Sequence, residues 1–266
     1  MDFEKIVLKK LSQVSQDATV TKIDSRSSQL KFANNKIVKT GSEQVSAINI
    51  FCAINKRVFS TTLREHSEKC LDDLLKKLVA ASNTMPARQD FFGIAPKPTE
   101  KYAGLKNCFD KSILPDESKQ IDLVETAVST VLEQKAIRCA GILEFHKSSH
   151  TLLTSAGVDA NEDSTNAYFS IRAMAENEGS GHQVRAGRML NSLDVENASR
   201  KAGGLAYQSR NPSPAPSGKM SVIFNPLPLS PLLDAAGSSS SSFYMEAGLS
   251  FFAGKVGKKV GSPAIT

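Results

Sequence analysis

The sequence predicts an α+β fold: two successive units of helix, antiparallel strands and helix, then the start of a β-rich C-terminal domain. Three observations predict it. Apolar residues recur at helical spacing in four separate stretches, they fall in short alternating runs between those stretches, and pairs such as Asn34-Asn35 sit where hairpins need turns. The order helix, about four strands, helix occurs twice without residue-level similarity. That repeat of architecture argues against a doubly wound parallel sheet.

The first unit is expected over residues 1–84. Phe3, Ile6, Val7, Leu11 and Val14 lie at helical spacing with lysines on the other face. Short strands follow, broken at Ser27-Ser28, at an Asn34-Asn35 turn suited to positive φ, and at Asn55-Lys56 between Val45–Ile54 and Arg57–Thr61. Ser67 then caps a helix bearing Leu71, Leu74, Leu75, Leu78 and Val79. Residues 85–111 read as a proline-rich linker whose Phe91-Phe92-Gly93 docks onto the surface it crosses.

The second unit is expected over residues 112–211. A helix after Pro115-Asp116 carries Ile121, Val124, Val128, Val131 and Leu132. Strands follow at Ile137–Phe145, Thr151–Ser155, Ala167–Ala173 and His182–Leu190, with a turn at Glu178–Gly181, and Ser192 caps a last helix through Tyr207. Asn211–Gly218 is a stiff linker, and residues 218–266 begin a new unit, too small to bury a core alone. There Val222-Ile223-Phe224 reads as a buried strand, followed by a helix with Pro231 in its first turn.

Bulk composition bounds the function. Of 266 residues, 40% are hydrophobic and 23% charged, an ordinary globular balance, and no apolar run is long enough to span a membrane. The charges inside MDFEKIVLKK exclude a signal peptide. Cys52, Cys70, Cys108 and Cys139 are far apart and read as reduced thiols of a cytoplasmic protein. The net charge of +6 invites a nucleic-acid reading, but the lysines are scattered, and the Lys255–Lys259 cluster has no interleaved aromatics; a solvated surface is the better account.

Two local constellations tempt a catalytic reading. His146 and His150 would share a face on a helix, but Lys147-Ser148-Ser149 between them reads as a hairpin turn, with Glu144 pointing away. Ser180, His182 and the acids Asp159, Glu162 and Asp163 suggest a hydrolase, yet no G-x-S-x-G frame surrounds Ser180 and the glycines suit a turn.

Several stretches together resemble the TldD/PmbA family, once described as modulators of DNA gyrase and understood as intracellular metalloproteases. They are SSQLKFANNKI (27–37), KRVFSTT (56–62), DFFG (90–93), TSAGVDA (154–160), SGH (180–182), VIFNP after NPSPAPSGK, and GLSFFAGKVGKKVGSP (248–263). In catalytic members a helix after the VIFNP-like strand bears HExxxH, two zinc-binding imidazoles and a glutamate that polarises water. The resemblance puts Asp234 at the first histidine, Ala235 at the glutamate and Ser238 or Ser239 at the second histidine, so this chain lacks the motif.

It therefore resembles the zinc-free PmbA/TldE branch, in its archaeal form. That implies no cofactor in this chain, zinc in a TldD-like partner, a heterodimer or higher assembly, and a peptide substrate. Ser180, Gly181 and His182 become expected walls of an inner chamber. Family members continue further through the C-terminal domain, so the chain is expected to be truncated. Ser238–Ser242 fits either close packing against a partner or simple tolerance of small residues. The alternative function is a non-enzymatic peptide- or DNA-associated binding protein.

Overall fold

The computed structural model describes residues 2–100, 102–114 and 116–264; Pro115 and the last two residues of the expected C-terminal domain lie outside them. Helix α1 (Phe3–Leu11) turns Val7 and Leu11 inward. Strands β1 (Asp17–Ala33), β2 (Lys36–Ile54) and β3 (Arg57–Leu63) follow, then α2 (Glu68–Ser82), where the Ser67 side chain accepts from the Cys70 N–H as expected of a cap. The second half repeats the order with α3 (Glu117–Glu133), β4 (Arg138–Thr154), β5 (Asp159–Met174), β6 (Ser180–Gly187) and α4 (Val195–Gln208).

The strands are fewer and longer than the sequence predicts, three per half instead of about four. All six form one antiparallel sheet in the order β3-β2-β1-β4-β5-β6, with β1 and β4 as the seam between halves. The expected break at Ser27-Ser28 does not occur, and Lys147-Ser148-Ser149 is mid-strand, because each of these segments has a paired strand on both sides. The turn Asn34-Asn35 does form, with φ of 50° and 64°, as does Asn55-Lys56 with 49° and 62°. The β5–β6 turn uses Asn177 and Glu178 at positive φ, so Ser180 and Gly181 already belong to β6. Helix α4 is capped by Asp194, which accepts from the Asn197 N–H; Ser192 instead bonds Met189 O within a short 3-10 turn (Leu190–Ser192).

Both helix pairs cover one face of the sheet, each over its own core. The first core gathers Val7, Leu11, Leu71 and Leu78 onto Val20, Ile48 and Ile50. The second gathers Val124, Val131, Ala198 and Ala202 onto Phe145, Phe169 and Ile171. The seam strands serve both: β1 gives Val20 to the first core and Leu30 and Phe32 to the second, while β4 gives Leu153 to the first and Leu143 to the second. Polar residues separate the two cores in the middle of the seam.

The chain divides into two compact units, the first ending at Pro212. The second, from Ser213, was expected to open with a strand and be β-rich. Its described residues contain α5 (Pro226–Ser239) and α6 (Ser242–Glu246) and no strand. Val222, Ile223 and Phe224 lie in no strand, with Ile223 97% exposed: without a neighbouring strand an apolar run has no ladder to join. The helix starts five residues earlier than expected, with Pro226 at N1, leaving Pro231 inside it. The serine run divides between α5, a turn at 240–241 and the start of α6; Ser250 Oγ, beyond α6, donates to Ser239 O at 2.5 Å and ties the following segment back to the end of α5.

Candidate functional site

Strand alternation leaves a second face of the sheet over which, among the described residues of the first unit, no helix packs. Cross-strand register sorts its side chains into rows. Gln29, Glu144 and Tyr168 make one, Ser27, His146 and Asn166 the next, then Ser25, Ser148 and Ser164, then Ile23, His150 and Glu162. Two of the rows carry a side-chain hydrogen bond: Gln29 Nε2 donates to Glu144 Oε1, and the Ser148 and Ser164 hydroxyls lie 2.9 Å apart. His146, His150, Asn166 and Arg172 are exposed on this face, making it a wettable polar platform.

His146 and His150 thus sit on one strand, not at a turn, and Glu144 shares their face instead of pointing away. Four residues along a strand separate the two imidazoles by roughly 13 Å, too far for one ion. Among the described residues no group of three His, Cys, Asp or Glu side chains could hold a metal.

His182 stands at the β6 end of the platform, paired across the ladder with Arg172, and its Nε2 lies 3.0 Å from Ser170 Oγ. Burial, and then the Arg172 guanidinium, hold its pKa below the ordinary histidine value. A catalytic base must become imidazolium as it takes a proton, and a neighbouring cation opposes that. Asp159, Glu162 and Asp163 lie about ten residues or more along β5 from Arg172, roughly 30–40 Å away. The arrangement does not favour nucleophilic attack.

Ser180 and Gly181 have structural duties. The Ser180 N–H donates to Ser209 Oγ at 2.9 Å, and that hydroxyl donates back to Ser180 O at 3.0 Å. A Cβ on Gly181 would lie 2.1 Å from Ala202 O of α4, so this position requires glycine for helix-on-sheet contact. The sequence reading missed Arg172, Ser170 and the Gln29–Glu144 row. Had β4 been read as one continuous strand, the alternation of Glu144, His146 and His150 would have pointed to them.

The linker borders the platform. Phe91 packs against Phe51 at 6.1 Å, the Ile94 N–H donates to Asp17 Oδ1, and the Thr165 N–H donates to Cys108 O at the outer edge of β5. Tyr102, Leu105 and Phe109 enclose with His150, Leu152 and Ala160 a hollow of about 670 Å³. Phe92 stays 93% exposed, so the docking expected of that segment is carried by Phe91.

In the second unit, Asp234, Ala235, Ser238 and Ser239 all lie on α5. Asp234 and Ala235 are exposed and Ser239 is buried. Zinc does not fit this donor set: one carboxylate and two hydroxyls supply no imidazole, and alanine stands where the glutamate base would be.

A family model described as the PmbA/TldA metallopeptidase C-terminal domain matches residues 217–266. No curated protein matches the chain. Among solved structures, a candidate modulator of DNA gyrase from Bacteroides thetaiotaomicron is similar with a TM-score of 0.80 and 16% identity, over 98% of this chain and 61% of its own. A like-described protein from Thermotoga maritima gives 0.78 and 15%, over 99% and 60%. TldE from Thermococcus kodakarensis gives 0.73 and 15%, over 95% and 58%. The chain spans about 60% of the length of these structures. The chain thus shares the fold of TldE and the gyrase-modulator structures, and its residues 217–266 are similar to the PmbA/TldA metallopeptidase C-terminal domain.

Proposed function

We propose that this chain is a zinc-free, TldE/PmbA-like subunit of a TldD-type metalloprotease, acting in the cytoplasm on small or unfolded peptides. The observation that carries the reading is α5. On that helix the positions assigned to histidine, glutamate and histidine hold Asp234, Ala235 and Ser238 or Ser239. Hydrolysis then belongs to a TldD-like partner bearing zinc. This chain supplies surface: a platform of alternating hydroxyls, amides and imidazoles can donate to and accept from the backbone of an extended peptide without discriminating its side chains. His182, Ser170 and Arg172 form one end of that wall, and Ser180 and Gly181 set the strand that holds it.

Co-purification tests the reading. Expressed with an HExxxH-bearing homologue from its own genome, the chain should elute with it near one to one, and peptidase activity should require both. The chain alone should carry no stoichiometric zinc. Stoichiometric zinc and peptide cleavage by the chain alone would sink the proposal. Retention on duplex DNA that weakens steeply with salt would move the reading to a binding protein.

A further inference from the structure

Arg26 and Lys147 stand directly opposite each other across the β1–β4 seam, on the helix side of the sheet. Like charges facing one another on neighbouring strands repel, so this pair costs the apo sheet stability. It floors a recess of about 470 Å³ in the polar gap between the two cores, with Gln44 and Ser149 beside it and Lys111 of the linker at its rim. Lys147 Nζ lies 5.0 Å from the centre of the Phe109 ring. Among the described residues, none of the three cations has an ion-pair partner.

Two carboxylates also line the recess. Asp24 is engaged: Ser46 Oγ donates to it at 2.5 Å and Lys22 Nζ stands 3.4 Å away. Burial would raise its pKa, but these two partners together hold it below the ordinary carboxylate value. Asp163 faces Ser149 across β4–β5 and is exposed. Three cations therefore meet one free carboxylate.

We propose that this recess binds a phosphate-type oxyanion, free or carried as a phosphoryl group on a peptide. Arg26 and Lys147 are the floor contacts and Lys111 closes the rim. An anion between Arg26 and Lys147 replaces their repulsion by two charge-assisted hydrogen bonds, and the guanidinium fork suits two oxygens at once. The inference is independent of the proposed protease role.

Thermal unfolding of the full chain tests it, comparing inorganic phosphate with chloride at equal ionic strength, and a phosphoserine peptide with its unphosphorylated form. Phosphate well above its Kd should raise Tm by about 5 °C. Arg26→Gln should lose that rise, yet melt in chloride no lower than the parent, because a repulsion has been removed. Lys111→Gln, at the exposed rim, should keep the fold and weaken phosphate binding several-fold. A rise with the phosphoserine peptide alone assigns the anion to a peptide. Equal melting in phosphate and chloride with no response to the phosphopeptide overturns the proposal, as does an Arg26→Gln variant that keeps the full rise.

Discussion

The two halves of the sheet share an element order but join their helices by different means. In the first half α1 meets α2 through Lys10, whose Nζ lies 2.9 Å from Glu68 and 2.8 Å from Asp72. In the second, α3 and α4 touch backbone to side chain: a Cβ on Gly203 would come within 2.7 Å of Gln134 Cβ and 3.1 Å of Val131 O. Helix α4 also lies on β6 at glycine distance through Gly181. One half thus uses charge at the surface and the other close contact. The lesson is that a shared topology does not carry a shared sensitivity.

Mutation should break that comparison in proportion to burial. The largest loss is expected of Phe169→Ala, a fully buried ring of the second core, at about 4 kcal/mol by urea unfolding. Next comes Gly181→Ala, which inserts a methyl 2.1 Å from Ala202 O; it should cost about 3 kcal/mol, with exchange protection lost first along α4.

Lys10→Gln should cost less than either and should act only at low salt. Asp72 foremost, then Glu68, hold the Lys10 ammonium above its ordinary pKa. A raised folded-state value means its contribution is complete below the ordinary lysine pKa and fades as pH rises through the raised one. Parent and variant urea midpoints should therefore converge both in an alkaline series and in concentrated salt.

The smallest expected effect touches reactivity alone. Each half buries one cysteine, Cys52 and Cys139, and burial pushes both thiols up to about 11. Cys70 and Cys108 are partly exposed. A thiol reagent applied to the native protein should label Cys70 and Cys108 and leave the buried pair until unfolding; early labelling of Cys139 would mean that the second core opens easily.

Local chemistry made much of this legible in the sequence. The Asn34-Asn35 and Asn55-Lys56 turns and the Ser67 cap are decided by residues adjacent in the chain. Residues 22–28 and 146–150 are not legible as strand. Their serines and charges lack strand propensity, and what holds them extended is a neighbour on each side. Val222–Phe224 failed the other way, strand-like in composition but without a neighbour. The candidate site suffered with the strands, since Glu144, His146 and His150 share a face only once β4 is continuous. At Asp234, Ala235 and Ser239 the reading rests on residue type, which the sequence alone supplies, and not on placement.

The seam has a consequence for synthesis. Phe32 pairs with Gly141 and Thr19 with Thr154, so over a hundred residues must be made before β1 meets its second partner, β4. During that wait the first half shows an unpaired edge on the nascent chain, the kind of surface that recruits wrong strands. The segment Thr21–Gln29, TKIDSRSSQ, is almost wholly polar. A more apolar β1 would bond as well in the finished sheet and be stickier on the ribosome. Its composition suits the delay.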